Sequence, residues 1–232
     1  MSPPPEITAV VFDLDGLLFN TEDLYQHVGG EILRRRGHEF TQELLDAMMG
    51  RPGRVALSMM IDWHKLEATV EQLQDETDEI FPAILDEQLL PMPGALELLS
   101  ALETAGIPKA IATSSRRTFL EDVLGRFEML PRFQFTLTSE DVTHGKPHPE
   151  IYLTAAGRLA IDPANMLVLE DSENGCRAAA AAGSFAVAVP GANSQNHDFS
   201  GASLIVDDLN DVRLWNLLRL SGDGIQPQGH PI

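Results

Sequence analysis

The sequence predicts an α/β protein, with a Rossmann-like doubly wound parallel sheet core and a small α-helical cap inserted after the first strand. From about Ala95 onward, apolar strand-like runs alternate with helix-like segments. Such alternation is typical of a parallel sheet with helices on both faces. Residues 19–90 lack this alternation and instead suggest several helices in succession. One short apolar run precedes them, so the helical segment follows the first strand.

The first strand is predicted at Ala9–Phe12, a β-rich apolar run that stops at two carboxylates and a glycine. A short run of this kind, bounded by turn residues, is typical of a buried strand. Asp13 and Asp15 therefore lie together at the end of the strand, where open α/β sheets bind their ligands. Gly16 allows the sharp turn that follows.

We assign the cap to residues 19–90 and the core to residues 6–18 and 91–221. The prolines of Pro91–Gly94 stop the last cap helix and stiffen the return linker. Within the cap, Met49–Arg54 is predicted to be a loop. The cap helices expected from the sequence include Asp23–Arg36, Gln42–Met49 and Thr69–Leu85.

The remaining core elements follow from apolar runs separated by Gly and Pro, which are strong breakers of regular structure. Strands are predicted at Pro108–Thr113, Phe133–Leu137, Asn165–Leu169, Phe185–Val189 and Leu204–Val206. Helices are predicted at Ala95–Thr104, Arg116–Phe127, Glu150–Leu159, Glu173–Ala182 and Val212–Leu220.

Composition excludes several classes of function. The 35 acidic and 16 basic side chains give a formal charge of −19, which repels nucleic acid and anionic membranes. Cys176 is the single cysteine, so no intrachain disulfide forms, and its Ala-rich surroundings favour a buried apolar role over a nucleophilic one. No signal peptide or membrane span is indicated. We expect a cytoplasmic monomer without nucleic-acid or membrane partners.

Asp13 and Asp15 point to a cation site, because two neighbouring carboxylates repel unless a cation or a shared proton intervenes. Mg²⁺ takes oxygen ligands of this kind. A polar turn, with Asp15 as a helix N-cap, explains the pair equally well when it is considered alone.

Three later segments also place polar side chains at strand ends. Thr113, Ser114 and Ser115 offer hydroxyls suited to a phosphate oxygen, or simply a helix N-cap. Lys146 lies in a rigid loop with two prolines, and surface exposure is its alternative. His144 and His148 in that loop are expected to be surface or packing residues rather than metal ligands. Glu170 and Asp171 end another strand and could complete the cation site, or cap the next helix.

Together these segments resemble the haloacid dehalogenase superfamily. Asp13-Leu14-Asp15-Gly16 matches its first motif, Thr113 its second, Lys146 its third, and the acids Glu170 and Asp171 its fourth. The helical cap after the first motif is similar to the β-phosphoglucomutase-like and phosphoglycolate-phosphatase-like branch. Asn20 departs from that branch, where an Asp is usual. The resemblance covers about Thr8 to Leu218.

The resemblance implies a Mg²⁺-dependent phosphatase acting on a small phosphorylated metabolite. Asp13 would attack phosphorus and form an aspartyl-phosphate, while Asp15 would act as acid and then base. Thr113 and Lys146 complete the implied catalytic residues, by holding a phosphoryl oxygen and by offsetting negative charge. The implied metal site uses Asp13, the Asp15 carbonyl, Asp171 and a nearby Glu170.

Two alternatives remain open at this point. A phosphosugar mutase of the β-phosphoglucomutase type carries a cap His shortly after the first motif, but Tyr25 stands there and His27 lies two residues on. Two positions rotate a helix by roughly 200°, so His27 would point away, which favours hydrolysis. A non-catalytic phosphometabolite-binding protein is the second alternative. Its binding role would not need Asp15.

Substrate identity lies beyond the sequence, but several residues are candidates for substrate contact. Arg51 and Arg54 in the predicted cap loop are candidate specificity cations, with solvent exposure as the alternative for each. The other expected substrate-binding residues are Gly16, Ser114, Ser115 and Arg116.

Overall fold

The computed structural model describes residues 6–48 and 53–221, except for the side chain of Asp46. The chain divides into two compact units. Met1–Leu18 and Pro91–Ile232 form the first, here called the core unit. Phe19–Leu90 form the second, here called the cap unit. None of the helices in the described ranges has the length and apolar character needed to cross a membrane.

The core unit is built on a six-stranded sheet in which every neighbouring pair of strands is parallel. Its strands are β1 (Ala9–Phe12), β2 (Lys109–Ala112), β3 (Thr136–Leu137), β4 (Met166–Glu170), β5 (Phe185–Ala188) and β6 (Leu204–Ile205). Their spatial order is β3-β2-β1-β4-β5-β6. This confirms the predicted fold class.

The described residues of the cap unit form four helices: α1 (Thr21–Arg34), α2 (Gln42–Met48), α3 (Gly53–His64) and α4 (Val70–Gln88). Helix α1 packs along α4, and the Tyr25 ring stacks on Phe81 with centroids 4.6 Å apart. Thr69 and Gln72 form a capping box that starts α4.

In the part of the core unit that the structure describes, five α-helices accompany the sheet: α5 (Ala95–Thr104), α6 (Arg117–Arg126), α7 (Glu150–Leu159), α8 (Glu173–Ala181) and α9 (Val212–Leu217). Helices α7 and α8 pack on one sheet face, where Val11 and Val168 are fully buried among small alanines. Small side chains let the helices approach the sheet closely. The alternate residues Val10 and Leu167 are equally buried, so the sheet is covered on both faces.

Helix α4 extends three residues beyond its predicted end and α9 stops three residues before its predicted end, and two further elements differ more from the sequence-based prediction. The predicted loop Met49–Arg54 is wrong at its end, because Gly53 and Arg54 form the first turn of α3; its first four residues lie outside the described ranges. The sequence suggested a loop because Pro52 and Gly53 are strong breakers of regular structure, whereas the helix that begins at Gly53 continues to His64. Strand β3 is only two residues long, since a 3-10 turn occupies Leu130–Arg132 and leaves Phe133 outside the ladder.

Candidate active site

The candidate site lies where the strand order of the sheet reverses. The chain runs outward from β1 to β3 on one side, then returns to β4 on the other side of β1. Ligands of open α/β sheets bind outside the carboxyl ends of the strands at such a switch point. Asp13 follows β1, Thr113 follows β2, and Glu170 is the last residue of β4.

Lys146 joins the polar residues of this edge. Its ammonium donates to Asp13 Oδ1 at 2.5 Å, to Glu170 Oε1 at 2.6 Å and to the Ala112 carbonyl at 2.9 Å. The side chain is only 5% exposed. Burial alone would lower its pKa, but the Asp13 and Glu170 carboxylates outweigh burial and hold the Lys146 pKa well above its usual value. The lysine is therefore a fixed positive charge.

Asp13 is buried beside that charge, and its backbone N–H donates to the Leu169 carbonyl at 3.0 Å. Burial raises the pKa of its carboxyl group, Lys146 opposes the rise, and the carboxylates of Glu170 and Asp15 add to it. A nucleophilic carboxylate must be ionised. A further positive charge close to Asp13 would favour that form.

Glu170 is fully buried and bonded through both oxygens, a network that sequence reasoning missed. Oε1 also accepts from the Tyr152 hydroxyl, and Oε2 accepts from Ser172 Oγ at 3.0 Å. A Cβ atom added at Gly175 would lie 1.8 Å from the Glu170 carboxyl carbon. Gly175 is therefore needed for the carboxylate to sit against helix α8.

Part of this network carried a local sequence signal. Ser172 is the N-cap of α8, and its hydroxyl accepts from the Gly175 N–H at 3.1 Å. A serine three residues before that N–H is a common N-cap signal in a sequence. Asp171 is therefore not the cap. Tyr152 had no such signal, because its partner Glu170 lies 18 residues away in the chain.

The Asp15 carboxylate is held by hydroxyl groups that follow β2, which lies on the side of β1 away from β4. Its Oδ2 atom accepts from Thr113 Oγ1 at 3.1 Å and from Ser115 Oγ at 2.6 Å. Thr113 is fully buried and also accepts from the Ser115 N–H at 3.0 Å. The N-cap of α6 is Arg116, without a side-chain bond, so neither serine caps that helix.

Three carboxylates could hold a metal ion. Ligand atoms of Asp13, Glu170 and Asp171 all lie within 4.8 Å of one another, and all three residues are buried. Their three formal negative charges meet the single positive charge of Lys146, which leaves an excess of two. A divalent ion that prefers oxygen ligands, such as Mg²⁺, fits both the donor atoms and the charge. The Asp15 carboxylate does not belong to this cluster.

The predicted substrate-contact residues do not form a single cluster of the kind that the three carboxylates form. Gly16 takes a left-handed φ of 74° in the turn after Asp15. Ser114 and Arg116 are exposed near the edge of the sheet. Arg54 pairs with Glu71 inside the cap unit, and Arg51 lies outside the described residues.

The Cys176 thiol has no chemical role in this arrangement. Its side chain is buried in helix α8. Burial and the charges of Glu170 and Asp171 raise the pKa of the thiol. A thiol with a raised pKa is a poor nucleophile.

Comparison with known proteins gives consistent matches. Hexitol phosphatase B of Escherichia coli K12 is 32% identical over 226 residues, covering 94% of this chain and 100% of that protein. A bifunctional riboflavin kinase/FMN phosphatase of Arabidopsis thaliana is 32% identical over 213 residues; the match covers 90% of this chain but only 56% of that relative.

Solved structures agree with the sequence matches. The crystal structure of a putative β-phosphoglucomutase from Thermotoga maritima superposes with a TM-score of 0.76 and 29% identity, covering 92% of this chain and 99% of that one. Residues 10–189 match the family described as haloacid dehalogenase-like hydrolase. The resemblance seen in the sequence is thereby confirmed, and the chain belongs to the haloacid dehalogenase-like hydrolase family.

Proposed function

We propose that this protein is a Mg²⁺-dependent phosphatase that hydrolyses a small phosphorylated metabolite through an aspartyl-phosphate on Asp13. The observation that carries this proposal is the Asp13 carboxylate, buried against Lys146 and flanked by Asp15. One carboxylate can attack while the other transfers protons, which is a division of labour that binding alone would not require.

In the first step, a carboxylate oxygen of Asp13 attacks phosphorus, and the bond from phosphorus to the substrate oxygen breaks. Asp15 donates a proton to that leaving oxygen. In the second step, Asp15 removes a proton from water, which attacks phosphorus and releases inorganic phosphate and free Asp13. The hydroxyls of Thr113 and Ser115, which contact Asp15, orient its carboxyl group for both transfers.

Charge neutralisation is the other requirement of phosphoryl transfer. Lys146 supplies one fixed positive charge beside Asp13. Asp13 and Asp171 would hold Mg²⁺, together with the backbone carbonyl of Asp15 proposed from the family motif. The oxygens of Glu170 are already bonded to Lys146, Tyr152 and Ser172, so Glu170 would stabilise the ion through its negative charge. The bound ion would supply Lewis-acid stabilisation of phosphoryl oxygens.

A phosphorylated sugar or sugar alcohol is the substrate class that we propose. The named activities of similar proteins support this choice, since they include a hexitol phosphatase and a phosphatase of phosphorylated carbohydrates. Gly16, Ser114, Ser115 and Arg116 are proposed to contact the substrate from the core unit. Arg51 and Arg54 remain the proposed specificity cations of the cap unit.

The test is release of inorganic phosphate from a panel of hexitol, hexose and nucleotide phosphates by the purified protein. Activity should disappear with EDTA and return with Mg²⁺. The matched pair of variants is Asp13→Asn, which should abolish turnover, and Asp15→Asn, which should slow it by about 100- to 10,000-fold. Phosphate release that persists in Asp13→Asn would replace the covalent route with direct attack by water.

A mutase is the second candidate, favoured by the similarity to a putative β-phosphoglucomutase. The position expected for its cap His is occupied by Tyr25, whose ring is stacked on Phe81. With β-glucose-1-phosphate we expect inorganic phosphate without glucose-6-phosphate. Efficient isomerisation with little phosphate release would establish the mutase. No turnover of any phosphate ester, with substrates still bound, would favour the non-catalytic alternative.

A further inference from the structure

The loop that carries Lys146 also presents a second group of metal-binding side chains. His144, His148 and Glu150 each offer a ligand atom, and these atoms lie within 4.8 Å of one another. The two imidazole rings are 4.6 Å apart between centroids. Nothing in the proposed phosphatase mechanism uses these three residues. The sequence alone favours surface or packing roles for the two histidines over metal binding.

The Glu150 carboxylate is fixed in place for such a role. Oε1 accepts from the Thr143 N–H at 2.8 Å, and Oε2 accepts from the His144 N–H at 3.0 Å. Oε2 also lies 2.9 Å from His144 Nδ1. These bonds lower the pKa of Glu150 to about 2. The carboxylate is therefore ionised, as a metal ligand must be.

The two histidines are accessible to an ion from solvent. The side chains of His144 and His148 are 63% and 51% exposed. His148 Nδ1 accepts a weak 3.3 Å bond from the Glu150 N–H and lies 3.9 Å from Glu150 Oε2. Rotation of this exposed ring would give up only that bond. Pro147 and Pro149 limit the freedom of the intervening backbone.

The donor set distinguishes this group from the buried carboxylate cluster. Imidazole nitrogen suits Zn²⁺, Cu²⁺ and Ni²⁺, whereas Mg²⁺ prefers oxygen. Two histidines and one glutamate, with water in the remaining position, are a known ligand set for Zn²⁺. We propose that His144, His148 and Glu150 form a second, solvent-exposed site for Zn²⁺ or a similar transition-metal ion.

The ligand atoms need only a small movement to surround one ion. Zn–N bonds of about 2.0 Å place tetrahedral ligand atoms about 3.4 Å apart. His144 Nδ1 already lies 2.9 Å from Glu150 Oε2, and His148 Nδ1, which is 3.9 Å from the same oxygen, can approach by rotation of its exposed ring.

The experiment is calorimetric titration of Zn²⁺ into untagged protein that is already saturated with Mg²⁺, so that the buried carboxylates are occupied. We expect one Zn²⁺ per chain. His144→Ala, His148→Ala and Glu150→Gln should each weaken binding by about tenfold or more. His27→Ala, an exposed histidine of the cap unit, should leave binding unchanged. Circular dichroism checks that each variant is folded.

Zn²⁺ binding is measured without any turnover, so failure of the phosphatase proposal does not decide the metal site. Absence of binding, or equal binding by wild type and folded His144→Ala or His148→Ala, would overturn the site.

Discussion

Charged side chains are arranged differently in the two units of this protein. In the core unit, Lys146 and Glu170 are buried and share partners, so each charge depends on several others. In the cap unit, ion pairs such as Arg54–Glu71 and Arg34–Glu31 lie on helix surfaces, where water screens them. The stability of the core unit should therefore respond strongly to the loss of one charge, and that of the cap unit weakly.

The largest effect is expected for Lys146→Met. It leaves Asp13, Glu170 and Asp171 buried together without a protein cation, and breaking a buried ion pair commonly costs about 3–5 kcal/mol. Turnover should be lost as well. Mg²⁺ should recover part of the free energy of unfolding, because the excess negative charge strengthens its binding to the native state. Chemical denaturation with and without Mg²⁺ measures both quantities. Unchanged stability would remove the contrast between the units.

Gly175→Ala tests whether the position of Glu170 matters without changing any charge. The new methyl group would meet the carboxyl group at 1.8–2.0 Å, so either Glu170 or helix α8 must move. Overpacking of this kind costs about 1–3 kcal/mol, and we expect weaker Mg²⁺ activation in the phosphate-release assay.

Gly157→Ala is the matched control for that substitution. It lies inside helix α7 of the same unit, and an added Cβ atom there would meet nothing within 4 Å. It should be neutral or stabilise by up to about 1 kcal/mol, since alanine is the better helix former. Similar results for the two alanines would contradict the role assigned to Gly175.

Tyr152→Phe removes one donor from Glu170 and leaves Lys146 and Ser172 in place. Loss of one partner from a buried acceptor costs about 1–3 kcal/mol, and the remaining donors place this case at the lower end. Thermal unfolding measures the change. A larger loss in the presence of Mg²⁺ than in its absence would show that the hydroxyl supports the metal-bound arrangement.

The strand ends of the core unit could be predicted because each combines a local apolar run with polar residues directly after it. Asp13, Thr113 and Glu170 all follow from that pattern, and parallel pairing brings them to one edge. The cap unit offered weaker signals, and α3 was missed because Pro52 and Gly53 resemble a loop. The contacts of Tyr152 and Ser115 depend on side chains converging from distant segments.

Asn20 shows the same limit in the cap unit. The sequence marks it as a departure from the family pattern but gives no reason for the change. Its amide donates to the Gln88 carbonyl at 3.1 Å and accepts from the Leu90 N–H at 2.8 Å. A carboxylate could accept but could not donate, so only an amide makes both bonds. The pairing of two segments about 70 residues apart appears only in the folded chain.

The smallest effect is expected for Arg36→Met, which is the cap-unit counterpart of Lys146→Met. Arg36 joins α1 to α4 by donating to both carboxylate oxygens of Glu76, to Oε2 at 2.8 Å, and to the Ile32 carbonyl at 3.0 Å. Both charged side chains are about a quarter exposed. Such partly solvated pairs contribute less than about 1 kcal/mol, and methionine keeps the apolar contact of the stem.

The hydrogen bond from Arg36 is the main cause of the lowered pKa of Glu76, and Arg35 is a lesser cause that remains in the variant, so Glu76 keeps one nearby cation. Salt provides the decisive measurement. Added NaCl should reduce the already small difference in free energy of unfolding between wild type and Arg36→Met, since it screens a partly solvated pair. The loss caused by Lys146→Met should persist in the same salt, because that pair is shielded from solvent. A cost for Arg36→Met that equals that of Lys146→Met would show that the two units use their charges alike.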